Sequence, residues 1–178
     1  MVLQSELETE RLLLGWLDPE GDMIAYTAWL NDPATNQFLE VRHACPITPQ
    51  DTREFVTETN ASAHSILCGI YLKPNHEHIG NIKLGPIDSN HARADLGFLI
   101  GHQRHWGNGY ATEAIKALVA YAFSELGLQK ITAGCYLDNS GSSRVLQKAG
   151  FEREAILSSH WISGSMRVDG EIFCMLKP

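Results

Sequence analysis

The stretch GHQRHWGNGYATEA, residues 101–114, separates two different hydrophobic patterns. Before it, Arg93–Ile100 is an apolar run typical of a strand. From Gly109 to Leu126 the apolar residues recur at helical spacing, and Gly127 stands just past the end, where glycine commonly ends a helix. The stretch therefore predicts a short connection from a strand directly into the longest helix of the chain.

The order of strands and helices differs before and after this connection. Three β-like runs precede it and predict an antiparallel meander, whereas strands and helices alternate after it. The predicted order βαα, βββ, αβαββ indicates an α/β (α+β) fold whose mixed, mostly antiparallel sheet carries helices on both faces. The predicted strands are Arg11–Leu17, Ser65–Leu72, His78–Ile87, Arg93–Ile100, Lys130–Tyr136, Phe151–Leu157 and Glu171–Leu176, and the predicted helices are Asp22–Leu30, Thr48 to about Ala63, Gly109–Leu126 and Ser140–Ala149.

Length and composition indicate one domain spanning residues 1–178. With 178 residues and 44% hydrophobic content, the chain suffices for one sizeable core. The formal net charge of -7 argues against nucleic acid as a partner, because phosphate-backbone binding needs a cationic surface. No apolar run reaches the roughly 18 residues of a membrane span, and the start MVLQSELETERLLLGWL lacks a signal-peptide pattern. We therefore expect a soluble, cytoplasmic monomer or homodimer with no membrane partner.

The cysteine and histidine patterns predict no metal site. The four cysteines form no CxxC pair, and the last three lie in strand-like runs, so we expect buried free thiols. His76 and His78 lie two residues apart, but in a turn without a third ligand nearby, so we expect both to be exposed to solvent. The cysteines are Cys45, Cys68, Cys135 and Cys174.

The predicted helix start is a candidate binding site for an anion. N–H groups at a helix start have no internal partner, and the helix dipole adds partial positive charge there. Gly107 and Gly109 would let an anion approach the backbone without meeting a Cβ, and Arg104 would add a charged fork. A phosphate ester fits such a site, although a plain turn between strand and helix would also explain the glycines.

Two other phosphate-binding patterns do not fit this stretch. The chain has no Gly-Lys-Ser or Gly-Lys-Thr sequence of a P-loop. Gly107-x-Gly109-x-x-Thr112 lacks the third glycine and the all-parallel setting of a dinucleotide-binding fold.

Three stretches resemble the GNAT family of N-acetyltransferases. Arg104-x-x-Gly107-x-Gly109, followed by YATEA, resembles that family's acetyl-CoA pyrophosphate loop. NSGSSRVLQKAGF, residues 139–151, is similar to its second cofactor segment, in which Asn-x-x-Ser leads to Lys-x-Gly-Phe. ERLLL, residues 10–14, resembles the opening strand of the RimJ/RimL-like branch, which acetylates ribosomal-protein N-termini. The three stretches follow the family's order and span most of the chain.

The resemblance implies acetyl-CoA as co-substrate and a splay between two strands at its site. The pantetheine would lie along residues 98–100, and the pyrophosphate would lie in the loop 103–111. Asn139 would meet the pantetheine from the other side, although a helix cap is an ordinary alternative role for this residue. The implied cofactor-binding residues are Phe98, Leu99, Ile100, Gln103, Arg104, Gly107, Asn108, Gly109, Tyr110, Ala111 and Asn139.

The resemblance also implies direct attack of an amine on the thioester, without a covalent enzyme intermediate. Many members protonate the leaving sulfur with a tyrosine, but Leu146 stands at that position here. Ser142 resembles the serine that the RimJ/RimL-like branch places near the sulfur; a plain first-turn helix residue is the alternative. Asp95 lies where related enzymes often carry Glu and is the candidate general base, with a surface pair to Arg93 as its alternative role.

The candidate acceptor-binding residues are Glu40, Arg42 and His160, which lie in the N-terminal and C-terminal segments that flank the predicted site. No strong base other than Asp95 is placed by a motif. This favours an α-amino group, with a pKa near 8, over a lysine side chain near 10.4.

Two questions about function stay open at this point. The acceptor is a protein N-terminus or a small amine, because WLND, FLEVR and HIGNIK, residues 29–32, 38–42 and 78–83, also resemble nucleotide-amino-sugar N-acetyltransferases. The alternative to an enzyme is a CoA-binding sensor or interaction module with weak turnover, which Leu146 in place of tyrosine slightly favours.

Overall fold

One mixed sheet of eight strands organises the residues that the computed structural model describes, namely 5–21, 23–44 and 46–178. The strands are β1 Leu7–Glu8, β2 Leu12–Trp16, β3 Ile66–Leu72, β4 Glu77–Asp88, β5 Arg93–Ile100, β6 Lys130–Tyr136, β7 Glu152–Ser163 and β8 Met166–Leu176. The helices are α1 Ile24–Asn31, α2 Pro33–Asn36, α3 Pro49–Ala61, α4 Tyr110–Ser124 and α5 Ser140–Ala149, with 3₁₀ turns at Glu40–His43 and Gln103–His105. The strand order is β1-β2-β3-β4-β5-β6-β8-β7, and every neighbouring pair is antiparallel except β5 and β6. The predicted fold class is confirmed.

The elements in the middle of the chain lie where they were predicted. β5, β6 and α5 have the predicted bounds, and α4 lies within the predicted range Gly109–Leu126. The largest difference is at the C-terminus, where β7 and β8 are longer than the predicted runs Phe151–Leu157 and Glu171–Leu176. The polar residues between those runs show no apolar alternation, yet they pair as a hairpin in which Trp161 faces Val168. Backbone pairing extends a strand that periodicity does not reveal.

Several N-terminal bounds also differ from the predicted ones. β1 and α2 are short elements that the hydrophobic pattern did not predict. α1 begins at Ile24, and Asp22, the predicted helix start, lies outside the described residues. α3 ends at Ala61, and its start has a complete capping box: Asp51 N–H donates to the Thr48 hydroxyl at 3.2 Å, and Thr48 N–H donates to the Asp51 carboxylate at 2.7 Å.

The larger apolar core lies on the sheet face that α4 and α5 cover. Leu14, Ile82 and Ile131 of the strands are buried there against Ile115 and Leu118 of α4. This burial fixes the axis of α4, because its apolar stripe must face the sheet. The N-terminus of α4 is thereby held beside the end of β5.

A second apolar cluster lies on the opposite face, under α1 and α3. Its buried members are Leu17, Met23, Tyr26, Trp29, Leu30, Val56 and Leu67, and Leu99 of β5 packs against them. Trp29 lies on Gly101, where an added Cβ would stand 1.9 Å from the indole, so only glycine allows α1 to approach this closely. Helices therefore cover both faces, as predicted. Among the described residues, no helix is long and apolar enough to cross a membrane.

The described cysteines are free thiols. Cys68 and Cys135 are buried, as predicted, and burial raises the pKa of the Cys68 thiol to about 12. Cys174 is only partly buried, which corrects the prediction for that residue, because it lies on β8 next to the edge strand β7. Cys45 lies outside the described residues.

Candidate active site

Strands β5 and β6 separate near the middle of the sheet. Their parallel pairing covers only Arg93–Asp95 with Lys130–Thr132. Beyond it, β5 continues along β4 to Ile100, and β6 continues along β8 to Tyr136. Each strand keeps its outer partner and loses the other, so a cleft opens between them with its apex at the last paired residues. The predicted strand splay is present in the predicted place.

The main-chain groups of β5 alternate between β4 and this cleft. Gly101 N–H donates to the Ile79 carbonyl of the neighbouring β4 segment at 2.9 Å. Because hydrogen-bonding direction alternates along a strand, the main chain of Leu99 also faces β4, and that of Phe98 and Ile100 faces the cleft. The sequence placed all three residues along the pantetheine. In the structure, only Phe98 and Ile100 of these three have main-chain groups that face the cleft.

Two glycines turn the chain from β5 into α4. Gly107 and Gly109 have φ of +76° and +83°, a left-handed conformation that residues with a Cβ rarely adopt. Nothing lies within 4 Å of a Cβ added to Gly107, and one added to Gly109 would meet only Arg11, at 3.4 Å. Within the described part of the chain, no side chain caps α4 at Gly109, and its first-turn N–H groups have no side-chain partner. This open, donor-rich helix start fits a diphosphate.

Several predicted loop residues brace the loop from within. The Asn108 amide donates to the carbonyls of Arg104 and Trp106, each at 3.2 Å. Trp106 Nε1 donates to the Ile100 carbonyl at 2.8 Å and so closes one of the two main-chain positions that face the cleft. Gln103 opens the 3₁₀ turn, Tyr110 begins α4, and Ala111 is buried in its first turn.

Arg104, predicted to bind phosphate, is paired with a carboxylate of β4. Its guanidinium donates to Glu77, and His105 lies 2.9 Å from the same oxygen. Hydrogen bonds from Arg104 and then His105 lower the pKa of Glu77 to about 2. The charge that the sequence assigned to the anion site is thus partly neutralised within the protein.

We expect Arg104→Ala to weaken CoA binding only about two- to fivefold, because an exposed guanidinium already paired with a carboxylate has little free attraction to offer. Titration calorimetry with CoA measures it. Glu77→Gln is the reciprocal variant, and it should leave CoA affinity unchanged or raise it because it frees Arg104. A loss of CoA affinity of more than about fiftyfold for Arg104→Ala would show that Arg104 leaves Glu77 to bind phosphate.

Arg11 is a loop cation that sequence reasoning missed as a site residue. Its guanidinium pairs with Glu113 at 2.7 Å, donates to the Asn108 carbonyl at 3.0 Å and lies 4.6 Å above the Tyr110 ring. A cavity of about 340 Å³ adjoins it. That cavity is lined by Glu10, Arg11, Gly109, Thr112, Glu113, Lys116 and Lys148. Only its place in the opening-strand motif ERLLL singles Arg11 out in the sequence.

Asn139 and Ser142 begin helix α5, next to the end of β6. The Asn139 side-chain oxygen accepts a hydrogen bond from Ser142 N–H at 3.0 Å, so Asn139 is a helix cap, the alternative role considered for it. The neighbouring Ser143 donates its hydroxyl to the buried Glu171. Leu146 is 1% exposed within the core and offers no group to the site.

Asp95 lies at the apex of the cleft and is exposed. The Thr132 hydroxyl of β6 donates to its carboxylate. Arg93, the alternative partner considered from the sequence, instead lies 3.6 Å from Asp88. The carboxylate is therefore oriented by a neutral donor, and no cation of the described residues pairs with it.

Glu40 and Arg42 meet on an aromatic wall at the end of β6. Arg42 Nη2 donates to the Tyr136 hydroxyl at 2.9 Å and to the Ile162 carbonyl at 2.8 Å, and the hydroxyl donates to Glu40 at 3.3 Å. The rings of Tyr136 and Trp161 lie 4.8 Å apart. Burial raises the pKa of Tyr136, Arg42 opposes the shift, and Glu40 adds to it. The two residues predicted for the acceptor side thus lie together.

His160 is exposed and lies 5.0 Å from the Trp161 ring, at the edge of the same wall. A cavity of about 300 Å³ opens beside this wall. It is lined by Phe38, Tyr136, Leu137, Asp138, Ser163, Arg167, Val168 and Asp169.

The prediction that His78 is exposed to solvent is wrong, because its side chain is partly buried. It stacks on Tyr71 with ring centroids 4.9 Å apart, meets the edge of Trp29 at 4.9 Å and lies 2.9 Å from the Asn81 side-chain oxygen. Burial lowers its pKa. Strand β4 begins at Glu77, so its pairing with β3 turns this side chain under α1. Within the described ranges, no group of three or more His, Cys, Asp or Glu side chains could hold a metal ion.

A comparison with protein families identifies this arrangement. Residues 11–152 match the family model described as an acetyltransferase (GNAT) domain. The chain belongs to the GNAT family of acetyltransferases. GNAT enzymes are N-acetyltransferases that use acetyl-CoA as co-substrate, and the family assignment carries both properties to this chain.

A relative supports the family assignment, and solved structures share the fold. The chain is similar to the uncharacterized N-acetyltransferase YoaA of Bacillus subtilis, with 31% identity over 173 residues and 97% of each chain covered. A GNAT-family acetyltransferase from Bacillus anthracis has the same fold, with a TM-score of 0.84, 24% identity, and 97% and 98% of the two chains covered. RimL, a ribosomal L7/L12 α-N-protein acetyltransferase solved with coenzyme A, also matches, with a TM-score of 0.84, 15% identity, and 97% and 98% coverage.

Proposed function

We propose that this GNAT acetyltransferase transfers the acetyl group of acetyl-CoA directly to a primary amine of modest pKa. The observation that carries the proposal is the cleft between β5 and β6, which opens beside the uncapped start of α4. Gly97 forms part of the floor on the side of α1 and α3, and nothing lies within 4 Å of a Cβ added there. One ligand can thus place a diphosphate at α4 and a thioester above Gly97.

The residues of this chain fit the successive parts of the co-substrate. First-turn N–H groups of α4 and the Arg11 guanidinium would hold the diphosphate. Main-chain groups of Phe98 would bond the pantetheine arm, and a cleft-facing N–H of this segment would stabilise the oxyanion that develops on the thioester carbonyl. The lysines of the adjoining cavity would face the nucleotide end of the co-substrate.

Acetyl transfer needs a neutral amine, and Asp95 would accept its proton directly or through water. The amine nitrogen forms a bond to the acetyl carbon, the bond from that carbon to sulfur breaks, and the electron pair leaves with the sulfur as thiolate. A thiolate of pKa near 8.5 is a tolerable leaving group, so one hydrogen bond from the Ser142 hydroxyl would suffice to stabilise it. No covalent intermediate with the protein is needed.

The proposed acceptor is an α-amino group of a protein N-terminus or the amine of a nucleotide amino sugar. The fold match to RimL, which is named as a ribosomal-protein N-terminal acetyltransferase, supports the first. The second rests on the sequence resemblance of residues 29–32, 38–42 and 78–83. Both amines have a larger neutral fraction at pH 7 than a lysine side chain, which suits a site whose one candidate base is exposed.

We expect Asp95→Asn to lower kcat/KM at pH 7 by a moderate factor, up to roughly 100-fold, the lower range for loss of a general base. Raising the pH should restore much of the rate, because the acceptor amine then deprotonates unaided. The measurement is kcat/KM against pH for both proteins, with an N-terminal peptide and a nucleotide amino sugar in parallel.

The matched control is Asp88→Asn, which removes a nearby carboxylate at the end of β4, before the turn into β5, where it pairs with Arg93. It should leave the pH profile unchanged. A defect in Asp95→Asn that stays constant up to about pH 9.5, above the α-amine pKa, would contradict the role of Asp95 as base. Preferential acetylation of lysine side chains would contradict the proposed acceptor class.

A CoA-binding sensor without turnover is the alternative function, and the buried Leu146 in place of a tyrosine favours it. The two functions differ in one observable. A sensor binds CoA and releases no thiol with any amine, whereas the enzyme releases thiol in step with acetylated acceptor.

A further inference from the structure

Lys83 of β4 lies on the same sheet face as the proposed reaction site. In the sheet register it stands directly opposite Gly97 of β5, with Leu67 of β3 on its other side. Opposed residues of an antiparallel pair have their Cβ positions about 5 Å apart, so the lysine stem can reach over the neighbouring strand. Because Gly97 has no side chain and open space above it, Lys83 borders the floor of the cleft on the side away from Trp161.

The ammonium group of Lys83 has no carboxylate within 4 Å in the described part of the chain. Its Nζ lies 5.8 Å from the centroid of the Phe55 ring. Two other lysines are paired: Lys73, in the turn after β3, with Glu8 at 3.1 Å, and Lys130 of β6 with Glu154. Among the described residues, Lys83 therefore differs from these two lysines in having no carboxylate partner.

The side chains that surround Lys83 on this face do not supply that partner. Leu67 and Phe55 are apolar, Gly97 has no side chain, and Asn81 is neutral. Asp95 lies two residues from Gly97 on the same face, but its carboxylate accepts from Thr132 on the opposite side of the cleft. The floor at Gly97 therefore has a carboxylate at one edge and, at another, an ammonium that no carboxylate of the described residues pairs with.

We propose that the amine acceptor carries an anionic group, a carboxylate or a phosphate ester, and that Lys83 binds it. This inference rests on the proposed function and names the substrate class of the same site. The acceptor amine points toward Asp95 and the thioester, and its anionic group lies against Lys83 and the Phe55 ring. Lys83 also disfavours polycationic acceptors. An additional ammonium group on the acceptor would be repelled by the Lys83 ammonium in a site of reduced dielectric.

The overall negative charge of the chain does not oppose this assignment. The formal net charge of -7 acts on an approaching acceptor at long range, where salt screens it over about 8 Å. Within the cleft, a charge-assisted hydrogen bond from the Lys83 ammonium outweighs that screened repulsion. The net charge therefore slows the association of an anionic acceptor with the protein. It does not decide whether the bound site prefers an anionic or a neutral acceptor.

Matched acceptor pairs test the inference. One pair is the peptides Ser-Glu-Ala and Ser-Gln-Ala as C-terminal amides, and the other is a nucleotide amino sugar and the methyl glycoside of the same sugar. Each pair keeps the reacting amine and changes the charge. The measurement is thiol release, as kcat/KM, for the wild-type protein and for Lys83→Gln, Lys83→Arg and Lys177→Gln.

We expect the wild-type protein to prefer the anionic member by about tenfold, equivalent to about 1.4 kcal/mol. Lys83→Gln should bring that ratio close to one by raising KM for the anionic acceptor, whereas Lys83→Arg and the distant control Lys177→Gln should keep it. Spermidine should be a poor acceptor for the wild-type protein. Thermal unfolding and CoA affinity should be the same for all four proteins.

Three results would overturn the inference. Equal turnover of both members of a pair by the wild-type protein would overturn this inference and leave the proposed function standing. A preference for the anionic acceptor that survives in Lys83→Gln would do the same. Turnover of no acceptor by a wild-type protein that still binds CoA would overturn the proposed function and this inference with it.

Discussion

Gly109→Val is expected to weaken CoA binding by about 100-fold, equivalent to about 2.8 kcal/mol. A branched Cβ at this position would stand where the first-turn N–H groups of α4 meet the diphosphate, and it would also push against Arg11, 3.4 Å from the Cβ position. Titration calorimetry with CoA measures the change.

The structure adds a second effect to this substitution. Gly109 has φ of +83°, a conformation in which valine is strained, so the variant should also be less stable. Gly127→Val is the matched control, because Gly127 has φ of +68° just beyond the other end of α4, with nothing within 4 Å of an added Cβ. Both variants should lose similar stability, and only Gly109→Val should lose CoA affinity. Equal CoA affinity in the two folded variants would contradict the placement of the diphosphate.

Ser142→Ala is expected to lower kcat by about 10- to 100-fold and to raise the KM for acetyl-CoA by less. A hydrogen bond to a charged group contributes about 1.5–3 kcal/mol, and it strengthens here only as charge develops on the leaving sulfur. The substitution should not disturb the helix start, because it is the Ser142 main-chain N–H that bonds to Asn139. Steady-state kinetics with saturating acceptor separates kcat from KM.

Ser140→Ala is the control for this variant. It removes a hydroxyl from the same first turn of α5, where the Ser140 hydroxyl accepts only a 3.4 Å contact from Arg144 in the described structure. Its kcat should equal that of the wild-type protein. A Ser142→Ala defect confined to KM would make Ser142 a binding residue rather than a partner of the leaving thiolate.

The parts of the fold that could be predicted are those set by local pattern. The bounds of β5, β6 and α5 follow from apolar periodicity and from the glycine that ends each helical pattern, and the structure confirms them. The hairpin of β7 and β8 extends through polar residues because backbone pairing with a neighbour stabilises it. The two strands pair with each other around the turn at Gly164, and apolar alternation does not reveal such main-chain pairing.

The candidate site divides in the same way. The open backbone at Gly107 and Gly109 could be predicted, because glycine has no Cβ, whereas their left-handed φ was not predicted. The partners of the charged residues could not be predicted, because Arg104 meets a carboxylate 27 positions away and Arg42 meets a hydroxyl 94 positions away. Lys83 attracts attention only once the sheet register shows a glycine opposite it.

The most direct test of the central claim is thiol release from acetyl-CoA with and without an amine acceptor, followed by mass spectrometry of protein and acceptor. Direct transfer to an amine predicts thiol release that depends on the acceptor, one acetyl group on the acceptor amine for each thiol released, and no acetylated protein intermediate. CoA binding without acceptor-dependent thiol release, over N-terminal peptides and nucleotide amino sugars alike, would contradict it.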